Sequence, residues 1–262
     1  MTLKISQLTP VAVGSLDGSE PVELGIAGDK SAPNGAFIPQ GYIDGLKMQW
    51  VSATALTVSS GAAYVLSLGR VIRANAAIAL TGLVLTPITW YHVYLYSNAG
   101  VPAIEVVPTS PAAPYNGVAR TKTSDTSRRY IGSVLTDSTS NLMNFDHCVS
   151  ECAVHYKYNI NNGGLHVLSG GAALTSTLIN FSGVVPVSGM RCFAYVENTG
   201  NDIAYIGPSD LNPITTVISF VRPSSRLSSQ YLMFNQQMNY EMGSANTSGG
   251  LDVWVQGYIY ER

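Results

Sequence analysis

The residues best suited to chemistry cluster near the middle of the chain. His147, Cys148, Cys152 and His155 place four potential metal ligands within nine residues. Common zinc modules pair a C-x2-4-C step with a distant second pair, and so short a stretch wraps one tetrahedral ion only through a tight turn. The spacing is wrong for such a module, and the cysteines read instead as small apolar residues in a linker between two β-domains. Carboxylates offer an acid–base pair, Asp202 with Asp210 or Asp137 with Asp146. Most of these stand in turn signals, where Asp caps its own backbone, and sequence spacing says nothing of the separation that glycoside hydrolysis requires. A third set is aromatic. Among fifteen tyrosines and three tryptophans, Tyr115, Trp254, Tyr258 and Tyr260 are candidates for a glycan-stacking or subunit-contact surface. The chain has no G-x-S-x-G elbow, P-loop, G-x-G-x-x-G turn or H-E-x-x-H helix motif. The sequence therefore assigns no catalytic residue, no metal ligand and no cofactor, and an enzyme is not expected.

Composition narrows the partners. Charged residues are 11% of the 262 and hydrophobic residues 46%, with a net charge of -2. An average domain is ~25% charged. The deficit is filled by Ser, Thr, Asn, Gln and Gly, as in sheet-rich subunits whose surfaces are covered by neighbours. Without a cluster of Lys and Arg, a nucleic-acid partner is not expected. Residues 74–104 carry no Asp, Glu, Lys or Arg, and so pass the crude ~20-residue length test for a membrane span. The run is broken by Asn75, Gly82, Pro87, Asn98 and Gly100 and alternates in its aromatic part, so membrane insertion is not expected. Residues 1–15 lack the apolar core of a secretion signal, and three cysteines are too few for a disulfide framework. Both point to folding in a reducing cytoplasm.

The elements that would position these residues are strands, giving an all-β chain in three parts. Residues 1–37 read as an extended arm, rich in Gly and acidic residues, with one or two short strands. Residues 38–150 read as a small β-domain. Its clearest strand is 90–96, with Tyr91, Val93 and Leu95 on one face and Trp90, His92, Tyr94 and Tyr96 on the other, covered on both sides. Asn98-Ala99-Gly100 turns it into a return strand at 101–107, and a further strand runs over 128–135. Residues 151–262 carry strands near 165–168, 176–181, 191–197, 203–206, 214–220, 231–235, 238–242 and 251–260, the spacing of a β-sandwich of jelly-roll type. In the last strand Leu251, Val253, Val255, Gly257 and Ile259 form a core face, and Asp252, Trp254, Gln256, Tyr258 and Tyr260 the opposite, interface-like face.

Two stretches carry a resemblance. Lys4-Ile5-Ser6-Gln7-Leu8-Thr9-Pro10, followed by Leu16-Asp17-Gly18-Ser19-Glu20-Pro21, resembles the virion-attachment start of phage tail-fibre and tail-spike proteins. The aromatic strand 90–96, the Ser110-Pro111-Ala112-Ala113-Pro114 connection, the Arg128-Arg129-Tyr130-Ile131-Gly132-Ser133 strand and the Thr136-Asp137 turn look like a module of phage tail and baseplate proteins. The resemblance implies a structural protein of a tailed-bacteriophage virion, in fibre, baseplate or collar. It would be assembled in the host cytoplasm, commonly as a homotrimer in contact with other tail proteins. Ile5, Leu8 and Pro10 would dock the arm to the virion by adding a strand to another protein. Two alternatives remain open: a receptor-binding tip that recognises host surface glycan, and a capsid decoration or head-fibre protein. A polysaccharide-degrading spike usually needs a β-helix of several hundred residues, for which the chain has no room.

Overall fold

A computed structural model describes residues 21–23, 31–33, 39–157, 165–210, 219–233, 235–245 and 249–262. The docking residues expected at Ile5, Leu8 and Pro10 lie outside them, as does most of the strand expected over 214–220. Strand makes up 58% of the chain and no α-helix occurs among the described residues, so the fold is all-β. Of the arm, β1 (Pro21–Glu23) and β2 (Ser31–Pro33) are described and pair antiparallel.

The middle module begins with β3 (Ile43–Gly45), β4 (Met48–Ser52), β5 (Ala55–Val58), β6 (Gly61–Val65), β7 (Arg70–Ala74) and β8 (Ile78–Leu80). These form two three-stranded sheets in the orders β3-β6-β7 and β4-β5-β8. The chain passes from one sheet to the other at Gly61, where an added Cβ would meet Asp44 O and Leu46 N at 2.4 Å. A third sheet follows from β9 (Trp90–Asn98), β10 (Val101–Val107), β11 (Thr121–Lys122) and β12 (Asp125–Leu135), in the order β10-β9-β12-β11. Ala99 and Gly100 both have positive φ, 48° and 89°, between paired Asn98 and Val101. That is the backbone of a two-residue hairpin whose twist matches its strands. Tyr91, His92, Val93, Tyr94 and Leu95 are all buried, so β9 is covered on both faces, as its composition requires. The charge-free run 74–104 is occupied by these strands, and no helix among the described residues is long and apolar enough to cross a membrane.

The hairpin β13 (Phe145–Cys148) and β14 (Ala153–Tyr156) leads into eight further strands: β15 (His166–Gly171), β16 (Thr177–Asn180), β17 (Gly189–Asn198), β18 (Ala204–Pro208), β19 (Ser219–Val221), β20 (Ser225–Leu232), β21 (Gln237–Met242) and β22 (Leu251–Tyr260). One sheet places β22 between β15 and β17, with β20 beyond β17; the other runs β16-β21-β18-β19. Counted from β15, the first, eighth, third and sixth strands face the second, seventh, fourth and fifth, which is the strand order of a jelly roll. β14 lengthens the first sheet. It pairs with β22 at 257–259, and β15 pairs with it at 251–254, so the two strands share one edge of β22.

The boundary expected at residue 150 falls in the tip of the β13–β14 hairpin, whose two strands both belong to the jelly-roll sheet. One buried cluster runs without interruption from Leu46 to Tyr260. The inner face of β14 and the end of β22 is covered by the middle module, which makes this seam part of the core.

Candidate functional site

Two arrangements of polar and aromatic side chains stand out, one buried in the seam and one on the outer face of the jelly-roll sheet.

The seam is a chain of hydrogen bonds among buried side chains. Tyr258 Oη donates to Ser133 O at 2.8 Å and Tyr260 Oη to Ile131 O at 2.8 Å. Met48 N–H donates to His147 Nδ1 at 2.9 Å. Nδ1 is therefore the acceptor, Nε2 carries the proton, and it donates to Tyr260 Oη at 2.9 Å. A second chain links His92 Nδ1 to Ser133 Oγ at 2.7 Å, Ser133 Oγ to Tyr130 Oη at 2.7 Å, and Tyr130 Oη to Ser188 Oγ at 2.6 Å. Burial lowers His147 to about 3, with the nearby Arg262 and Lys47 charges acting in the same direction, and lowers His92 to about 4. Burial pushes Tyr130 up to about 12 and raises Tyr258 and Tyr260 as well. All five groups are neutral at pH 7. Their chemistry is mutual satisfaction, which fixes the two units in one register. Arg262 donates to Gly45 O and Leu46 O, and Arg120 pairs with Glu261, so the two residues that follow Tyr260 also bind the middle module.

The outer face is built from alternate residues of four strands. On β17, Cys192, Ala194 and Val196 point into the sandwich, which leaves Phe193, Tyr195 and Glu197 outside. Trp254 stands beside Tyr195 across the strands, and His166 beside Trp254. The His166 and Trp254 rings stack at 4.3 Å and 8°, while Tyr195 tilts against Trp254 at 5.6 Å and 57°. Asp252 Oδ1 accepts from Gly170 N–H at 3.0 Å and lies 3.1 Å from His166 Nε2. In the next row Arg226 Nη2 pairs with Glu197 Oε1 at 2.9 Å, and Ser228 Oγ donates to Gln256 Oε1 at 2.9 Å. Gly257 has no side chain, and the Phe193 and His155 rings meet across it at 4.3 Å.

The candidate aromatics are thus divided. Trp254 is half-buried on the outer face, as its phase requires. Tyr115 stands in the connection between β10 and β11 of the middle module, its hydroxyl donating to Gln40 O at 3.0 Å. Tyr258 and Tyr260 were expected on the same face as Trp254, but they are 0% and 1% exposed and face the seam. The cause is a β-bulge. Phe193 pairs with Gly257 but Ala194 with Val255, so Gln256 is an additional residue. One inserted residue reverses the phase of everything beyond it. The sequence points to His155 only as a potential metal ligand, and gives no role to His166, Phe193 or Tyr195. The alternation of Phe193, Tyr195 and Glu197 with Cys192, Ala194 and Val196 carried the signal, since the larger polar set marks the outer face.

The histidine–cysteine cluster does not converge. His147 pairs with Val154 on the inner face, and His155 pairs with Asp146 on the outer face, so the two imidazoles lie on opposite sides of one sheet. No group of three or more His, Cys, Asp or Glu side chains able to hold a metal ion occurs among the described residues. Asp137 Oδ1 accepts from Thr139 N–H, Thr139 Oγ–H and Asn141 N–H. Asp202 Oδ1 accepts from Ile203 N–H. Asp137 thus caps a local turn, while Asp202 also takes a hydrogen bond from the Ser244 side chain.

No protein-family model matches the chain, and no curated protein matches it in sequence.

Proposed function

We propose that this chain is a structural protein of a tailed-bacteriophage virion, an oligomeric component of the tail fibre, baseplate or collar that mediates attachment or assembly. The middle module bears the resemblance to phage tail modules, and the seam is the observation that carries the reading furthest. A jelly roll locked by buried tyrosines, arginines and a histidine to the module beneath it moves with that module. Such a chain suits a part that docks at one end and presents a sheet at the other. The arm, with Ile5, Leu8 and Pro10, would dock on a neighbouring virion protein. The low charge, 11% of residues, fits a subunit whose surfaces are partly covered by its copies.

The test is the molar mass of the full chain in solution by multi-angle light scattering. A stable species near three times 27.9 kDa is expected. A monomer that persists at all concentrations would overturn the oligomeric reading.

A further inference from the structure

We infer that the free edge of β20 is a self-association surface, on which β20 of a second copy of this chain pairs antiparallel about a two-fold axis at Ser229. β20 (Ser225–Leu232) ends the jelly-roll sheet. Its ladder with β17 keeps one register throughout, and Met233 N–H donates to Met190 O at 3.0 Å one step past its end. In an antiparallel ladder, pairs that exchange backbone bonds alternate with pairs that do not. Tyr231, Ser229, Leu227 and Ser225 therefore bond to β17, and Leu232, Gln230, Ser228 and Arg226 turn their N–H and C=O groups away from it. Those four residues are all exposed, and their outward backbone groups meet no partner among the described residues. Folded proteins blunt such an edge with proline, bulges, charge or shortness. The next longest edge strand among the described residues, β10, carries Pro102, and β15 is broken by bulges. β20 has eight residues, no proline and no bulge, and its single charge, Arg226, is paired with Glu197 of the same chain.

The edge is complementary to itself. Only its outward residues can exchange bonds across the joint, and one antiparallel register uses all four of them. It sets Arg226 opposite Leu232 and Ser228 opposite Gln230, each pairing occurring twice. Ser229 then faces its own copy on the axis, and Leu227 faces Tyr231. The inner face of the joint thus places an aliphatic side chain against an aromatic one on either side of a small residue. The two Arg226 side chains lie at opposite ends, so like charges never stand across from each other. The exposed Leu232 gains the apolar stem of Arg226 as cover. A two-fold joint of this kind is the same patch used on both copies. It lies outside the three-chain ring expected above, goes beyond the attachment reading, and ties one assembled unit to the next. A single strand pair is small beside the ~800 Å² per partner of a standard interface. The joint therefore forms when units are concentrated and leaves the molar mass in dilute solution unchanged.

The test is a disulfide trap in the full chain, with Cys148→Ser and Cys152→Ser removing the partly exposed thiols. In a pair that exchanges no backbone bonds the Cα atoms approach to ~4.5 Å, within disulfide reach. Ser229→Cys should therefore link two chains through the axis when concentrated protein is oxidised with diamide. The link is read as a two-chain band on a non-reducing denaturing gel. Ser228→Cys should give a band severalfold weaker, because its copies are diagonal neighbours at ~7–8 Å, beyond that reach. Adding Gln230→Pro to Ser229→Cys removes an outward donor without touching the ladder to β17, and should abolish the link. Circular dichroism checks that this variant is folded. If it is not, Ser228→Lys with Gln230→Lys decides, since both positions are exposed and the pair sets like charges opposite each other across the joint. Absence of the Ser229→Cys link, an equal link from Ser228→Cys, or a link that survives the folded edge variants overturns the inference. Light scattering on the unmodified chain tests the trimer separately. A three-chain mass without the link refutes this inference alone, and a link in a chain that is monomeric in dilute solution refutes the three-chain reading alone.

Discussion

The seam makes stability depend on acidity through His147 and His92. In the folded chain both imidazoles are held neutral, near 3 and 4 respectively, whereas in the unfolded chain they titrate near 6.5. Above pH 6.5 both states are neutral and the histidines contribute nothing to the pH dependence. As pH falls below 6.5 the unfolded chain takes up protons that the folded chain refuses, and stability is lost until the folded values are reached. At ~1.4 kcal/mol per pH unit, each histidine removes about 2 kcal/mol between about pH 6 and 4.5, a window above the carboxylate range. Together they remove about 4 kcal/mol, a large part of the 5–15 kcal/mol of a typical domain. The perturbation is His147→Gln, whose amide keeps one acceptor for Met48 N–H and one donor for Tyr260 Oη but has no proton to gain. The assay is urea unfolding at several pH values across that window. The variant should start about 1–3 kcal/mol less stable at pH 7.5, the usual cost of an imperfect buried hydrogen bond. It should then lose only about 2 kcal/mol between pH 6 and 4.5, where the parent loses about 4. Parallel curves for the two proteins, or a parent curve that is flat across the window, would refute the assignment of His147 as a buried neutral clamp.

Two further outcomes test other parts of the fold. Gly257→Ala would put a Cβ 2.2 Å from Val154 O; the cost should reach or exceed the ~1–3 kcal/mol of an overpacked site, read as a lowered unfolding midpoint, and an unchanged midpoint would mean that β14 does not lie over the bulge. The thiols should divide in the folded protein: Cys192 is buried and pushed up to about 12 by desolvation, so it should react with an aromatic disulfide reagent only after unfolding, while the partly exposed Cys148 and Cys152 should react in the native state.

The strands legible in the sequence are those whose alternation is set by a buried face. Those near 191–197, 238–242 and 251–260 are found as β17, β21 and β22, and the hairpin at 90–107 follows from its aromatic run and its Ala99-Gly100 turn. β20 was misplaced at 231–235. It runs Ser225–Leu232, and only Leu227 and Tyr231 in it are both apolar and turned inward. An edge strand needs little apolar content, so its period is faint. Residues 53–65 are uniformly rich in Thr, Val, Ala and Ser, yet they divide at Ser59-Ser60 into β5 and β6, which belong to different sheets. Propensity sees a strand on either side of that step, while the sheet assignment depends on partners far along the chain.

The same distinction explains why the two sites were only half visible. Trp254 and Tyr258 are four residues apart, and strict alternation puts them on one face. A single inserted residue, Gln256, decides between a last strand with three outward aromatics and one whose last two tyrosines close a seam. Gly257 marks the place, because β14 passes so near that only glycine fits. An isolated glycine in an otherwise regular strand thus signals a change of face before any partner strand is known. Once the phase is corrected there, the polar tips of Tyr258 and Tyr260 need buried acceptors. The carbonyls of Ser133 and Ile131 in β12 meet that need, and the middle module and the jelly roll become one core.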